Sequence, residues 1–353
     1  MYKYEKIKAT LKLFFNNQFI NFTFLKSFLN TEKLYIADVG STGGIDSRWL
    51  SLDKILKIYT FDPDPRAKKK YSQNIQNFNI GLWSSKKKLP LYLTHFPDAS
   101  SVFKPNKNLL DVFINSADHD VVKKKIINVN QLDVLLDKNK YPDFIKVDAE
   151  GADFEILLGA KKILKSSCMG LQVEAQFIER NTGSRIFSDI NDLLVNNGFI
   201  MYSLEKESWL RKNKFSSIDS KLQVIWADVT YLISIDELVK RLKNSPPDEK
   251  RKSLSKLLLI CLAYKFYDYG VDLLIDFNER GWITNKERQI CIDGIKKNMK
   301  SSFTIIFLGF LKLFFTLILL IFSFLTPIKI NSSLKRFKRS VKELLITLSN
   351  CFN

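Results

Sequence analysis

Cysteine and histidine are scarce in this 353-residue chain, which has four cysteines and two histidines. The cysteines stand far apart, and none belongs to a CxxC pair. This spacing argues against a zinc site or a disulfide framework and makes a reducing compartment the default. The chain also lacks the Gly-Lys-Ser/Thr element of a P-loop, and no small-residue cleavage site follows its basic N-terminus. We therefore interpret residues 1–30 as an amphipathic helix rather than a signal peptide.

Positive charge, by contrast, is abundant. The net charge is +18, from 55 basic and 37 acidic residues. Such an excess favours anionic partners, namely a membrane surface, nucleic acid or phosphorylated substrates. Hydrophobic residues make up 46% of the chain. This fraction is enough for a sizeable core and excludes a disordered chain.

The C-terminal residues 301–353 combine an apolar stretch with a basic amphipathic tail. The stretch, Phe303 to Leu325, carries one charge and is long enough to span a bilayer, which needs about 20 apolar residues. Basic residues flank it on both sides, so its orientation stays open, as does the choice between a span and an in-plane helix. This region favours contact with a membrane surface. A buried helix hairpin or an oligomer interface is the alternative.

Short apolar runs alternate with helical patterns from residue 31 to residue 235. The alternation predicts an α/β fold with a Rossmann-like, doubly wound and mostly parallel sheet. The last two runs, "IMYSLEKE" and "KLQVIWADVTYLIS", have no long helix between them, so they predict an antiparallel hairpin at the end of the sheet. After the turn-like "NSPPDEK", residues 236–300 are interpreted as a helical extension.

Four acidic residues lie at or near the ends of predicted strands: Asp38, Asp62, Asp148 and Glu174. Ligands of doubly wound sheets bind at the carboxyl ends of the strands. We therefore expect these acids to face one cleft. The alternative is that each acid forms an ordinary polar turn or caps the next helix.

A glycine-rich loop, "DVGSTGGIDS", follows the first strand, and Asp62 ends the second strand about twenty residues later. The glycines permit close backbone approach to a ligand, and an acid such as Asp62 can accept hydrogen bonds from ribose hydroxyls. Together they predict an adenosine-containing cofactor. NAD stays open, but Asp38 would repel its pyrophosphate. S-adenosylmethionine carries a sulfonium and an ammonium and no phosphate, which favours methyl transfer.

Several segments, taken in order, resemble the FkbM-type methyltransferases, a branch of the Rossmann-like enzymes that use S-adenosylmethionine. They are "DVGSTGGIDS", "FDPDP", "LDVLLDKNKYPDFIKVDAEGADFEILLGAKKIL", "LQVEAQF" and "VIWADVTYL", and they span roughly residues 34–233. The most specific mark is the Lys-hydrophobic-Asp-x-Glu-Gly sequence between a strand and a helix. This chain departs from the family in having Ser41 and Thr42 where Ala-Asn is usual, and Asp62 where Glu is more common.

The resemblance implies a cofactor site in the first two strand ends. Asp38, Gly40 and Gly44 would line the methionine part of S-adenosylmethionine, together with Ser41 of the same loop. Asp62 would hold the ribose.

On the acceptor side, the resemblance implies that Asp148 and Glu150 lie beside the transferred methyl group, with Glu174 as a neighbour. An alcohol acceptor loses its proton as it attacks, and a carboxylate or a histidine can take that proton. Asp148 is the first candidate base and Glu150 the second, although Glu150 could instead brace the loop through backbone N–H groups. His95 is a further candidate base or substrate contact. His119 is interpreted as a solvated loop residue.

The favoured function is O-methylation of a hydroxyl on a glycan, a glycolipid or a related metabolite, because a membrane segment fits lipid-linked or envelope polysaccharide synthesis. Methylation of nucleic acid or protein and a non-catalytic scaffold are the alternatives. Nucleic acid is disfavoured because carboxylates at the acceptor site would repel a phosphate backbone. A metal ion is not predicted, since Asp148 and Glu174 have no clear third partner. The cofactor is a cytoplasmic metabolite, so we expect a cytoplasmic catalytic domain that associates with a membrane through residues 301–353.

Overall fold

The computed structural model describes residues 20–29, 32–40, 45–67, 72–213 and 221–299. The chain divides into two compact units, one formed by residues 22–292 and the other by residues 1–21 with 293–353. Most of the predicted N-terminal helix, the predicted membrane segment, Ser41 and Gly44 lie outside the described residues. Within the described ranges, no helix combines the length and the apolar character needed to cross a bilayer.

The described residues contain ten strands: β1 Leu34–Val39, β2 Leu56–Phe61, β3 Ile75–Phe78, β4 Gly81–Leu82, β5 Lys87–Thr94, β6 Val121–Asn130, β7 Phe144–Val147, β8 Gly170–Gln176, β9 Phe199–Trp209 and β10 Gln223–Ile233. Seven of them form the main sheet, in the order β3-β2-β1-β7-β8-β10-β9, and β4-β6-β5 form a small sheet.

The α-helices of the described residues are α1 Lys26–Leu29, α2 Lys107–Leu110, α3 Leu132–Leu135, α4 Asp153–Leu158, α5 Lys161–Lys165, α6 Phe187–Val195, α7 Ile235–Leu242, α8 Pro247–Tyr264, α9 Tyr267–Glu279 and α10, residues 285–299. Short 3-10 turns cover Thr23–Leu25, Pro97–Ala99, Ser116–His119 and Lys138–Lys140, and a longer 3-10 segment covers Ser47–Ile55.

The main sheet confirms the predicted doubly wound architecture. Strands β3, β2, β1, β7 and β8 are parallel, whereas β10 runs antiparallel to both β8 and β9 and forms the predicted terminal hairpin. All seven residues of β8 are buried, as expected for a strand covered on both faces. The chain runs outward from β1 through β2 and β3 and then returns to β7. The strand order therefore reverses between β1 and β7, which opens a crevice at their carboxyl ends.

The small sheet lies over this crevice. The sequence pieces "NFNIGLW" and "LPLYLT" therefore belong to two sheets, because β3 joins the main sheet while β4 and β5 pair with β6. Apolar side chains of the small sheet, among them Leu82, Leu91 and Val129, are buried. They form one wall of a cavity at the strand ends.

Helix α8 packs against the main sheet. Its last residue, Tyr264, places its ring 5.8 Å from that of Trp49 and 5.2 Å from that of Phe144. The Tyr264 hydroxyl donates a hydrogen bond to Gln172 Oε1 at 2.8 Å. The helices that follow β10 are thus attached to the sheet within the unit of residues 22–292.

Candidate active site

A buried carboxylate and a half-buried lysine face each other at the crevice between β1 and β7. Asp38 on β1 is in register with Lys146 on β7, and its side chain is almost fully buried. Lys146 Nζ lies 3.8 Å from Asp38 Oδ1 and 3.2 Å from Asp148 Oδ2. Burial raises the pKa of Asp38 to about 6, and the charge of Lys146 partly opposes this rise. Among the described residues, none donates a hydrogen bond to Asp38 Oδ1.

The backbone at the end of β1 lies very close to the backbone at the end of β7. Gly40 has φ +78°, and a Cβ at this position would lie 1.7 Å from the Asp148 carbonyl oxygen. Gly40 N donates to the Phe61 carbonyl at 2.9 Å, and Asp148 N donates to the Val39 carbonyl at 3.0 Å. These bonds tie together the ends of β1, β2 and β7. Only glycine fits here, both because φ is positive and because no space is left for a side chain.

A cavity of about 200 Å³, here called the strand-end cavity, lies between these strand ends and the small sheet. Four predicted site residues line it, namely Gly40, Asp62, Asp148 and Glu150. The carboxylate of Asp62 accepts a hydrogen bond from Asp64 N at 2.8 Å, which shapes the turn after β2. The structure therefore brings together acids from the ends of β2 and β7, as the strand-end rule predicts.

The two histidines do not meet in this cavity. His95 is exposed, is not among the described residues that line the cavity, and follows the end of β5. His119 is 5% exposed, so its interpretation as a solvated residue is wrong. A 3-10 turn brings its ring to 5.3 Å from that of Trp209. Burial lowers the pKa of His119 to about 4, and the charges of Arg180 and Lys107 act in the same direction.

The loop after β7 has an unusual backbone at Glu150. This residue has φ +52°, in the left-handed region, which costs a non-glycine residue about 1 kcal/mol. Its carbonyl accepts hydrogen bonds from Ser101 Oγ at 2.7 Å and Asn181 Nδ2 at 2.8 Å. Asp153 accepts the backbone N–H groups of Ala149 and Gly151 at 3.1 and 2.9 Å. Asp153, rather than Glu150, is thus the carboxylate that bonds the N–H groups of the loop.

The Glu150 side chain points instead to a buried arginine. Arg180 Nη2 lies 2.8 Å from Glu150 Oε2 and also donates a hydrogen bond to Glu174 Oε1. Burial raises the pKa of Glu150 to about 7, with Arg180 opposing the rise. Burial and the charge of Glu150 together raise the pKa of Glu174. One oxygen each from Asp148, Glu150 and Glu174 lies within 4.8 Å of the others, so this set has the geometry to hold a divalent ion.

Two charged residues of the site were not predicted from the sequence. Lys146 belongs to the Lys-hydrophobic-Asp motif at the end of β7. Its position two residues before Asp148 was a usable signal, because residues i and i+2 of an extended segment lie on one face. Arg180 had no comparable signal. It lies six residues beyond Glu174, after β8 has ended, and its contact with Glu150 depends on the tertiary fold.

A second and larger cavity of about 590 Å³, here called the aromatic groove, adjoins the loop at Gly151. Aromatic rings from several elements line it, including Trp83, Phe103, Phe154 and Phe177. Three carboxylates share the lining with the exposed Arg185: Glu155, Glu179 and Asp189. The groove therefore combines flat apolar surfaces with an excess of hydrogen-bond acceptors.

The strand order and the reversal between β1 and β7 define a Rossmann-like, doubly wound fold with acids at its strand ends. The sequence also matches the profile of the methyltransferase FkbM domain over residues 38–201. Residues 38–201 are therefore an FkbM methyltransferase domain. The matched range begins at Asp38 and includes Gly40, Asp62, Asp148, Glu150 and Arg180.

Similarity to solved structures is weak. The crystal structure of methyltransferase FkbM from Methylobacillus flagellatus KT is 14% identical, with 57% of this chain and 44% of that chain covered and a TM-score of 0.33. A precorrin 8w decarboxylase from Methanobacterium thermoautotrophicum is 15% identical, with 59% and 84% covered and a TM-score of 0.27. The chain thus spans less than half of the Methylobacillus protein, and scores this low say nothing about activity. No curated protein matches the sequence.

Proposed function

We propose that the chain is an S-adenosylmethionine-dependent methyltransferase that methylates a hydroxyl of a glycan, a glycolipid or a related metabolite. The observation that carries the proposal is the carboxylate of Asp38, which is buried at the carboxyl end of β1 in a methyltransferase domain and whose Oδ1 accepts no hydrogen bond from the described residues. A buried carboxylate oxygen without a donor is costly and suits a cationic group of a ligand. The acids of the strand-end cavity would repel a pyrophosphate, which favours this cofactor over NAD.

The described residues fit the cofactor at both of its ends. Asp38 would accept hydrogen bonds from the ammonium group, and Gly40 leaves the backbone open to close approach. Asp62, which lines the strand-end cavity together with Gly40, would accept hydrogen bonds from the ribose hydroxyls. When bound, S-adenosylmethionine supplies an electrophilic methyl group on a cationic sulfur. Ser41 and Gly44 remain predicted contacts of the same loop.

Asp148 is the proposed base for the acceptor hydroxyl. Its carboxylate lines the strand-end cavity, and Lys146 lies 3.2 Å from one of its oxygens. Glu150 is more deeply buried than Asp148 and is held by Arg180, so it is less accessible to an acceptor and stays the second candidate. A general base within hydrogen-bond reach of the acceptor hydroxyl increases the reaction rate by about 10²–10⁴-fold. Holding the acceptor in line with the methyl group supplies much of the remaining rate enhancement.

The aromatic groove supports a sugar-like acceptor. Ring faces such as those of Phe154 and Phe177 offer apolar surfaces to the C–H faces of a sugar, and Glu179 and Asp189 can accept hydrogen bonds from its hydroxyls. An acidic lining disfavours phosphate-rich acceptors, which weakens the nucleic-acid alternative. The exposed His95 has no described contact with either cavity, so its role as a base has no support beyond the sequence prediction.

Titration calorimetry with S-adenosylmethionine and S-adenosylhomocysteine tests the cofactor. We expect both to bind, and binding of neither would contradict every methyltransferase hypothesis. Transfer of a labelled methyl group to a panel of methyl glycosides, an RNA oligonucleotide and a peptide tests the acceptor. Transfer to the RNA or the peptide alone would overturn the hydroxyl assignment.

The variant Asp148→Asn separates an enzyme from a scaffold. We expect methyl transfer to fall at least about 100-fold while the cofactor still binds, because the variant removes the base and keeps the shape of the side chain. Unchanged turnover would remove Asp148 from the role of base. His95→Gln is the matched control, and a comparable loss there would move the base to His95.

Membrane contact through residues 301–353 stays part of the proposal, together with a cytoplasmic location of the catalytic domain. Fractionation of cells that express the chain with and without these residues tests it. We expect the full chain in the membrane fraction and the shortened chain in the supernatant. An identical distribution would contradict membrane contact.

A further inference from the structure

We propose that Arg180 is a built-in cation on the acceptor side, where its guanidinium takes the position of a divalent metal ion and holds the carboxylate of Glu150 beside Asp148. Arg180 is thus a positioning residue rather than a group that touches the reacting atoms. The assignment of this cluster to the acceptor side rests on the proposed function. The inference that Arg180 keeps a metal ion from these carboxylates does not.

Three carboxylates from two segments, the loop after β7 and strand β8, meet at this position. Asp148 follows β7, Glu150 lies in the loop with left-handed backbone, and Glu174 is in β8. One oxygen of each lies within 4.8 Å of the others. Hard cations such as Mg²⁺ and Mn²⁺ take oxygen ligands of this type. Without a cation, the mutual repulsion of the three acids in a buried site would be unfavourable.

Arg180 already supplies that cation. It is 3% exposed and lies 2.8 Å from Glu150 Oε2 while it donates a hydrogen bond to Glu174 Oε1. A divalent ion could bind these two carboxylates only after the guanidinium had moved away. Because a guanidinium has fixed donor directions, its hydrogen bond orients the Glu174 carboxylate more strictly than a spherical ion would, whereas Glu150 is held by its ion-pair contact.

The guanidinium has little room to move away. Its Cζ lies 5.7 Å from the ring centroid of Trp209 and 5.9 Å from that of Trp226, which are cation–π distances. The Arg180 backbone is fixed as well, since its carbonyl accepts a hydrogen bond from Asn106 N at 2.8 Å. Elements from both sides of the site therefore hold the arginine in place.

Glu150 is fixed at two points, which distinguishes this cluster from an ordinary salt bridge. Ser101 and Asn181 bind its carbonyl, and Arg180 binds its carboxylate. The strained φ of Glu150 is thus held from both ends. Such restraint beside a cavity-lining carboxylate is what a positioned acceptor site requires.

Titration of the full-length chain with Mn²⁺, followed by electron paramagnetic resonance and calorimetry, tests the proposal without cofactor or acceptor. We expect no Mn²⁺ site in the wild type. Arg180→Met should create one, with at least a tenfold increase in affinity, and its melting temperature should rise with Mn²⁺ because a ligand of the folded state stabilises that state. Arg180→Met with Glu174→Gln should lose the new site. Arg185→Met, which removes an exposed arginine, is the matched control and should behave like the wild type.

Stoichiometric Mn²⁺ binding by the wild type that Asp148→Asn abolishes would overturn the proposal. So would a folded Arg180→Met variant that shows neither Mn²⁺ binding nor a Mn²⁺-dependent melting temperature. If Arg180→Met does not fold at all, the wild-type titration decides alone. A failure to bind S-adenosylmethionine would contradict the proposed function and leave the Mn²⁺ result unaffected.

Discussion

Two buried aspartates have similar surroundings but lie at opposite ends of neighbouring strands of the main sheet, here called its carboxyl edge and its amino edge. Asp38 is near the carboxyl end of β1, and Asp143 directly precedes β7 at the amino edge. They are 3% and 4% exposed, and burial raises the pKa of each to about 6. Each also faces a lysine, since Lys146 lies 3.8 Å from Asp38 and Lys256 lies 3.1 Å from Asp143.

The two aspartates differ in what satisfies them. Asp143 accepts hydrogen bonds on both oxygens, from Tyr35 N at 2.9 Å and from Lys256 Nζ at 3.1 Å. Asp38 Oδ1 receives none from the part of the chain that the structure describes. The unfavourable desolvation of a carboxylate is thus offset by protein donors at the amino edge, where α8 is attached. At the carboxyl edge, the proposed cofactor would offset it.

The largest effect is expected from Gly40→Ala at the carboxyl edge. A Cβ there would lie 1.7 Å from a backbone oxygen of Asp148, so the ends of β1 and β7 must separate. We expect cofactor binding, measured by calorimetry, to fall at least about 100-fold, which corresponds to about 2.7 kcal/mol.

The control is Gly281→Ala, because Gly281 has φ +69° with nothing within 4 Å of its Cβ position. It should destabilise the fold by only about 1 kcal/mol through backbone strain and leave binding intact. Equal effects of the two variants on binding would mean that strain, rather than close approach at the site, explains the loss.

The pair Asp38→Asn and Asp143→Asn tests the comparison directly. Asp38→Asn removes the charge that would meet the cofactor's ammonium group, so we expect its affinity for S-adenosylmethionine to fall about 10- to 100-fold, in line with a charged hydrogen bond. Asp143→Asn should change this affinity less than about twofold. Calorimetry on both variants decides, and a similar loss in both would show that Asp38 acts through the fold rather than through the ligand.

Much of the fold was predictable because its signals are local. The alternation of apolar runs and helical patterns predicted the parallel sheet, and the missing helix before β10 predicted the hairpin. The placement of Asp62 and Asp148 at one cavity was predictable because the carboxyl ends of parallel strands converge whatever the details of packing. The small sheet was missed, since the pattern of a single β-strand carries no sign of which sheet it joins.

The unpredicted parts depend on contacts between distant residues. Lys256 and Asp143 lie 113 positions apart, and nothing in either segment indicates the pair. Arg180 meets Glu150 only because a loop turns back from β8 to the end of β7. His119 resembled a solvated residue because its neighbours are polar, yet a 3-10 turn buries it. Such placements follow from tertiary packing and not from spacing.

An effect of intermediate size is expected from a change at Asp153, at the carboxyl edge. Asp153→Ala removes the acceptor of the Ala149 and Gly151 N–H groups, so we expect about 2 kcal/mol of destabilisation and about a tenfold loss of methyl transfer. Ser234→Ala is the control, because Ser234 caps α7 through Glu237 N at 3.2 Å, away from the site. It should lower stability by about 1 kcal/mol and leave transfer unchanged, as urea melts and transfer assays would show. If both variants reduce transfer in proportion to stability, Asp153 has no special role in the loop.

The smallest effect concerns the pH dependence of stability at the amino edge. The pKa of Asp143 is raised from 3.8 to about 6 by burial, with Lys256 opposing the rise and the nearby Glu32 adding to it. The folded state therefore binds more protons than the unfolded state between these values. The stability that Asp143 contributes is fully present below about pH 3.8 and is lost as the pH rises through about 6.

The variant Asp143→Asn tests this pH dependence, because asparagine does not titrate and should remove it. Between pH 5 and pH 7.5 the free energy of unfolding should therefore fall by about 1 kcal/mol more in the wild type than in Asp143→Asn, as urea melts at the two pH values would show. Asp38→Asn should reduce the pH dependence of stability in the same way. In the wild type at pH 7.5, S-adenosylmethionine should restore the stability lost through Asp38 but not that lost through Asp143, because the ligand would contact only the ionised carboxylate of Asp38. If the free energy of unfolding changes with pH equally in the wild type and in Asp143→Asn, burial does not raise the pKa of Asp143.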